Sequence, residues 1–246
     1  MARARDDAAA RCYGRAMETL IGTSGYSYAP WKGRFYPKKM PAKQMLPFYA
    51  SHFPTVEINN TFYNMPTPEL VQSWADEVPA SFRFAIKAPQ RITHHLRLKN
   101  AGEPLRELWT CVEPLAKKRG PILFQLPPNM KKDIEVLAAF IEEIPRKAAA
   151  TFEFRHESWF SDDVYALLHK SGVALCIADA ENLTTPIVAT TDWGYLRLRR
   201  EDYVATDIRR WRKQIAKQNW KRAFVYFKHE DTAKGPHFAQ LLIEAM

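Results

Sequence analysis

Hydrophobic and polar positions alternate with a period of two in a series of short segments. In Val56-Glu57-Ile58-Asn59, Val56 and Ile58 share one face of an extended chain, and Glu57 and Asn59 share the other. Thr151-Phe152-Glu153-Phe154-Arg155 repeats the arrangement, with Phe152 and Phe154 opposite Glu153 and Arg155. Phe82-Arg83-Phe84-Ala85-Ile86-Lys87 does so again. Between these strands the apolar spacing switches to that of helices. Leu70, Val71 and Trp74 follow Thr67-Pro68, where Thr67 can cap and Pro68 suits a first helical position. Ile134, Leu137, Ile141 and Ile144 mark another helix, and Gly172 ends one that Ser161 or Asp162 can start.

In chain order the pattern predicts strands at 20–24, 55–60, 82–87, 122–126, 150–154, 173–178, 195–199 and 223–228. Helices are expected at 43–53, from 68 to Pro79, at 103–118, 133–144, 162–171 and 203–219, and from about 237 onward. A polar loop is expected at Arg91 to His95. Through 180–194 the pattern breaks at Thr184-Thr185-Pro186. Eight strand-helix cycles point to an α/β protein, a TIM-type (β/α)8 parallel barrel in one domain, with the sixth helix reduced or absent. An open doubly wound sheet is the alternative. The barrel domain is placed at 18–246, and residues 1–17 are read as an N-terminal extension, disordered or loosely packed.

Composition agrees with one sizeable core: 246 residues, 46% of them hydrophobic. No apolar run approaches the roughly 20 residues of a membrane helix, and the start lacks a secretory apolar segment. Cys12, Cys111 and Cys176 are odd in number and widely spaced, which suits neither a disulfide framework nor a zinc knuckle and points to a reducing cytoplasm. The net charge of +9 favours anionic partners and no membrane.

Several motifs carry a family resemblance. Gly22 to Tyr28, Trp31-Lys32-Gly33, Phe35-Tyr36-Pro37, Val56 to Tyr63, Phe82 to Lys87, Thr93-His94, Leu123 to Pro128 and Glu153 to Trp159 occur in the order seen in the YecE-like family, domain of unknown function number 72. The resemblance runs from about residue 20 to the end and implies a TIM barrel without implying a reaction. Two stretches depart from it: Arg197-Leu198-Arg199-Arg200 replaces Arg-Leu-His-Gly, and Phe227-Lys228-His229 replaces Phe-Asn-Asn. Both changes add positive charge.

If each strand turns its polar face inward, the barrel mouth collects Glu57, Asn59, Lys87, Gln125, Glu153, Arg155, Asp179, Arg197 and Lys228. A cationic mouth suits a phosphate or carboxylate, and Arg155 can hold one bidentately. Ser24, Tyr26, Trp31, Tyr63, His94, His156 and Trp159 belong to the surrounding loops as candidate ligand contacts; each aromatic reads first as loop packing, with a platform for bases or sugars as the functional alternative. Glu57 and Glu153 are the candidates for general acid and base, with Arg155 beside them, because different neighbours can hold two carboxyls in different protonation states.

The function expected is binding of an anionic, phosphate-containing small molecule or nucleic acid at the mouth, with hydrolysis of a nucleotide or nucleic acid as the enzymatic form. A non-catalytic nucleic-acid or nucleotide binding module is one alternative, and a carbohydrate-active hydrolase is another. Internal ion pairing of the same charges is the structural alternative. Metal-assisted hydrolysis would draw on Glu57, Glu153, Asp179 and His156 or His229, but no His-rich ligand spacing supports it, so no metal site is assigned and the cofactor is left unknown. The sequence has no Gly-rich phosphate loop, nucleophile elbow or nicotinamide fingerprint.

Overall fold

The computed structural model of the chain describes residues 17–229 and 232–246. The expected extension at 1–17 therefore lies outside the described residues except for Met17. The eight strands are β1 (Glu18–Ser24), β2 (Thr55–Ile58), β3 (Arg83–Lys87), β4 (Arg119–Gln125), β5 (Ala150–Glu153), β6 (Ala174–Asp179), β7 (Trp193–Leu198) and β8 (Arg222–Phe227). All neighbours pair in parallel, and β8 returns to β1, so the sheet closes into a barrel in sequence order. The open-sheet alternative is overturned by the β1–β8 ladder, which runs from Glu18 opposite Arg222 to Thr23 opposite Phe227.

Helices α1 (Met45–Ala50), α2 (Pro68–Asp76), α3 (Gly102–Val112), α4 (Ile134–Glu142), α5 (Asp162–Ser171), α6 (Ala205–Ala216) and α7 (Lys234–Ala245) cover the strands. Their starts obey local chemistry. Thr67 accepts from the Leu70 amide at α2, and Asp133 accepts from the Val136 amide at α4. Gly172 adopts a left-handed φ of 67° to stop α5. Between β6 and β7 there is no helix. The crossover instead runs beside β6, pinned by the Thr185 amide on the Ala178 carbonyl and by Thr190 Oγ1, which bonds the Leu175 amide and the Val173 carbonyl.

Some boundaries differ from the pattern reading. The helix expected at 103–118 turns to 3-10 geometry from Glu113 onward, and α7 begins three residues early. The stretch Arg91–His95 is a π-helical turn rather than a loop. Strand β2 ends at Ile58, which leaves Asn59 just beyond it.

Period-two alternation sorts the core into two parts. Leu20, Ala85, Leu123, Cys176, Tyr195, Phe224 and Tyr226 fill the barrel interior. The opposite positions, such as Val56, Ile58, Phe84, Phe124, Phe152 and Val225, pack against the helices. At Gly22 a Cβ would come within 2.0 Å of the Thr55 carbonyl oxygen, so only glycine lets β1 lie this close to β2.

Candidate functional site

At the C-terminal ends of the strands the inward positions are polar. Glu57, Gln125, Glu153 and Arg197 are all buried, with Glu57 0% and Arg197 and Glu153 each 1% exposed. Arg197 joins the two carboxylates. Its Nη2 donates to Glu57 Oε1 at 2.9 Å, and its Nη1 donates to Glu153 Oε2. Each carboxylate has further donors. Tyr195 Oη donates to Glu57 Oε2 at 2.6 Å. Glu153 Oε1 receives Gln125 Nε2 at 2.8 Å and Arg199 Nη1 at 3.2 Å. The buried pairing alternative thus applies in full to Glu57, Glu153 and Arg197.

These contacts fix the charges. Burial is the largest influence on the Glu57 and Glu153 carboxyls and pushes them up, but the Arg197 guanidinium and the surrounding donors together outweigh it. With the Tyr195 and Ser24 hydroxyls, Glu57 is held below the usual carboxyl range; with Arg199 and Gln125 as well, Glu153 falls to about 2. Ser24 Oγ stands beside Glu57 without meeting hydrogen-bond geometry of its own. Both carboxyls are therefore anions on one shared guanidinium, and the split protonation expected of an acid–base pair is not present in this arrangement.

Above this floor lies a cavity of about 790 Å³. Arg155, Arg199 and Lys228, all half-buried, line it together with Glu153, His156 and His229. Its other acids, Glu157, Glu181 and Glu201, are exposed at the rim. Among the described residues Arg155 has no ion pair or hydrogen bond. His156 lines the wall but spends Nδ1 on the Ser158 amide and hydroxyl. His229 lies at the end of β8 with Nε2 buried and unpartnered among the described residues, and burial pushes it down to about 4.

On the β2–β3 side, Lys87 Nζ sits 3.8 Å from the centre of the Phe62 ring. His94 packs edge-on against the same ring at 4.9 Å, its Nδ1 sharing a hydrogen bond with Thr93 Oγ1 at 2.9 Å. Burial, then the charge of Lys87, hold His94 down at about 4, so it is neutral at pH 7. Asn59 presents a buried amide with neither atom bonded to a described residue.

Several expected ligand contacts are placed elsewhere. Asp179 points outward, where its carboxylate accepts from Tyr203 Oη at 2.8 Å and from Trp211 Nε1 at 3.1 Å. The reason is legible in the strand: Leu175 and Ile177, the large apolar residues, share its parity and face the helices. Trp31 is fully buried among Tyr28, Phe35 and Tyr36. Trp159 is also fully buried, stacked on Phe154 at 4.6 Å and donating Nε1–H to the Met130 carbonyl. Tyr26 packs on Tyr49 at 6.2 Å, and burial pushes its hydroxyl up to about 12. Tyr63 alone of these aromatics is largely exposed, at 69%. Tyr26, Trp31 and Trp159 are loop packing rather than platforms.

Tyr195 and Arg199 lie outside the set of mouth residues that the pattern collects, though both share the parity of Arg197 and period two reaches them. Among the described residues no three His, Cys, Asp or Glu side chains converge in a way that could hold a metal ion. Nor is any helix among them long and apolar enough to cross a membrane.

Fold and site together define a (β/α)8 barrel with a buried Glu-Arg-Glu floor under a charged mouth. The chain belongs to the family described as Protein of unknown function DUF72, whose profile matches residues 20–246. It is 33% identical over 138 residues to UPF0759 protein YecE of Escherichia coli strain K12, a match covering 54% of this chain and 51% of that protein. The matched stretch thus spans about half the length of that relative. UPF0759 protein YunF of Bacillus subtilis strain 168 is 25% identical over 210 residues, 79% of this chain and 73% of that protein. A DUF72 family protein from Thermotoga maritima MSB8 superposes with a TM-score of 0.84 at 25% identity, covering 92% of this chain and 98% of that one. A DUF72 family protein from Enterococcus faecalis V583 gives 0.78 at 19% identity, covering 94% and 98%, and shares the fold.

Proposed function

We propose that the mouth of this barrel binds a small anionic ligand through a phosphate group. The observation that carries this reading is Arg155, a half-buried guanidinium on the cavity wall without an ion-pair or hydrogen-bond partner among the described residues. A guanidinium taken out of water is costly unless an anion meets it, and its planar fork matches two phosphate oxygens. Arg199 and Lys228 line the same wall, while its acids other than the buried Glu153 stand at the solvent-exposed rim. The floor supports the same reading, because Arg197 already neutralises much of the charge on Glu57 and Glu153.

A nucleotide fits this chemistry; a long nucleic acid is supported less well, because Trp31 and Trp159 are buried in the core. The basic residues of α6 do not help it: Ile208, Trp211 and Ile215 face the barrel while Arg209, Arg210, Arg212 and Lys213 lie on the solvated flank.

Thermal unfolding with inorganic phosphate, nucleoside monophosphates, sugar phosphates and a short oligonucleotide tests the reading, since a ligand of the native state raises its apparent stability. A phosphate compound is expected to raise the melting temperature of the native chain and to lose that effect in Arg155→Ala. A shift of equal size in the variant, or none with any phosphate compound, would overturn the reading. Oligonucleotide binding that survives Arg155→Ala and vanishes with salt would identify a generic basic surface.

A further inference from the structure

We propose that Lys87 is a nucleophile that forms an imine with the carbonyl carbon of a small ligand whose anionic group is held by Arg155, Arg199 and Lys228. The proposal rests on the anion-binding reading above and adds the class of ligand, a phosphorylated or otherwise anionic aldehyde or ketone, and the reacting atom.

The placement of Lys87 comes from the fold. It is the last residue of β3 and shares the inward parity of Ala85, which lies in the barrel interior. Its Thr61 neighbour ties the backbone there by donating Oγ1–H to the Lys87 carbonyl at 2.7 Å. The side chain is half-buried, and Nζ lies over the Phe62 ring. Among the described residues it makes no ion pair. The two carboxylates it senses, Glu153 and Glu57, are both engaged by Arg197. An ammonium at this position thus has a ring face as its close partner and feels the repulsion of Arg197 and Lys228. His94, edge-on to the same Phe62 ring, adds no charge because it is neutral.

Burial first, then the Arg197 charge, push the Lys87 ammonium down from 10.5 to about 7, against the opposing pull of Glu153 and Glu57. A substantial fraction of the molecules then carries Lys87 as a free amine at neutral pH. Desolvation beside another cation is a general way to make a lysine nucleophilic towards carbonyl carbon. The backbone around it is also unusual. The π-helical turn Arg91–His95 is followed by Arg97, Leu98 and Asn100, all non-glycine residues with positive φ of 50°, 68° and 51°. Conformations of this kind cost energy and recur where a site needs a fixed side chain. Here the turn fixes His94 against the ring that carries Lys87.

The chemistry balances without an external oxidant or reductant. The Nζ lone pair adds to the carbonyl carbon while the carbonyl oxygen takes up a proton, which gives a carbinolamine. The first proton on that oxygen comes from the attacking nitrogen; a second, taken from solvent, lets it leave as water when the nitrogen lone pair forms the C=N bond, and the nitrogen is left as a cationic iminium. One C–O double bond is replaced by one C–N double bond, and one water is released.

Reductive trapping tests the proposal on the full chain. The protein is treated with sodium cyanoborohydride and one of three carbonyl probes, formaldehyde, dihydroxyacetone or dihydroxyacetone phosphate, and the modified lysines are mapped by peptide mass spectrometry. Formaldehyde at pH 7 is expected to modify Lys87 roughly tenfold faster than the exposed lysines. Its rate should titrate with a midpoint of about 7. Dihydroxyacetone phosphate should modify Lys87 faster than dihydroxyacetone does, and Arg155→Ala should bring the two rates together. Lys87→Arg keeps a cation over Phe62 and should lose the label with all three probes.

Lys87 reacting no faster than exposed lysines with every probe overturns the proposal, even if phosphate still stabilises the native chain. Rapid modification that is indifferent to the phosphate group supports the nucleophile and removes the anion-binding reading. A purely structural lysine would show neither the pH midpoint nor the preference for the phosphorylated probe.

Discussion

Tyr195 donates its hydroxyl proton to Glu57 Oε2 at 2.6 Å, although the two residues are 138 positions apart. Both belong to the inward faces of their strands, so the bond crosses the interior and joins β7 to β2. Together with the Arg197 bond it occupies both oxygens of a carboxylate that has no solvent exposure.

Removing Arg197 therefore strands two buried anions. Arg197→Met is expected to destabilise the fold by about 3–5 kcal/mol, the usual cost of breaking a buried ion pair from one side. Urea unfolding measures it. The triple change Arg197→Met, Glu57→Gln, Glu153→Gln should recover part of the loss, because no unpaired charge remains; a triple variant less stable than Arg197→Met alone would refute this account.

Acid should act through the same pair. The folded-state carboxyls of Glu57 and Glu153 titrate below the ordinary value of 4.5, Glu153 at about 2. Their contribution to stability is full above about 4.5 and is lost as the pH falls through the folded values. Unfolding midpoints measured from pH 6 to pH 2 should fall across this window, and Glu153→Gln should flatten the fall. A variant profile parallel to that of the native chain would contradict the assignment.

Lys87 has the opposite sign of effect. Its folded pKa of about 7 lies below the ordinary 10.5, so the folded state binds fewer protons and burying this amine costs stability at neutral pH. The cost is full below about 7 and disappears as the pH rises to 10.5. Lys87→Met should raise stability at pH 7 by on the order of 1–2 kcal/mol, as replacements of costly site residues do, and the gain should shrink by pH 10. Denaturant titrations at the two pH values decide it.

Trp159 separates packing from ligand contact. Trp159→Ala removes a fully buried ring that stacks on Phe154 and bonds the Met130 carbonyl, and should cost about 3–5 kcal/mol. At a temperature where the variant is still folded, its response to phosphate compounds should match that of the native chain. A selective loss of that response would place the ring at the ligand.

The barrel and most of its polar floor were legible in the sequence because a strand's period of two is a one-dimensional signal. It placed Glu57, Lys87, Gln125, Glu153 and Arg197 inward without any knowledge of closure. The same signal, applied strictly to Leu175, Ile177 and Asp179, turns Asp179 outward as the structure has it. What the pattern could not carry was pairing between distant strands. That one guanidinium would take both Glu57 and Glu153 depends on side chains about 140 and 44 positions away meeting across the interior. Nor could it tell a ring aimed at a ligand from a ring aimed at its neighbours. Trp31, Phe35, Tyr36, Phe48 and Tyr49 pack on one another to cover the β1–β2 side, and an irregular aromatic stretch reads the same either way.

The crossover between β6 and β7 has a consequence for how such a barrel can diversify. Glu181, Asn182 and Leu183 contribute to the cavity wall, yet the segment that holds them has no helix whose packing they must preserve. Thr185 and Thr190 moor it to β6 through hydrogen bonds, Thr190 Oγ1 to backbone alone. Residues between the mooring points and the cavity can thus be exchanged, lengthened or recharged at small thermodynamic cost, whereas every change on the floor disturbs the Arg197 network. The shape and charge of this wall can accordingly be changed within one short stretch, and transplanting residues 180–184 between homologues would alter the cavity without rebuilding the scaffold.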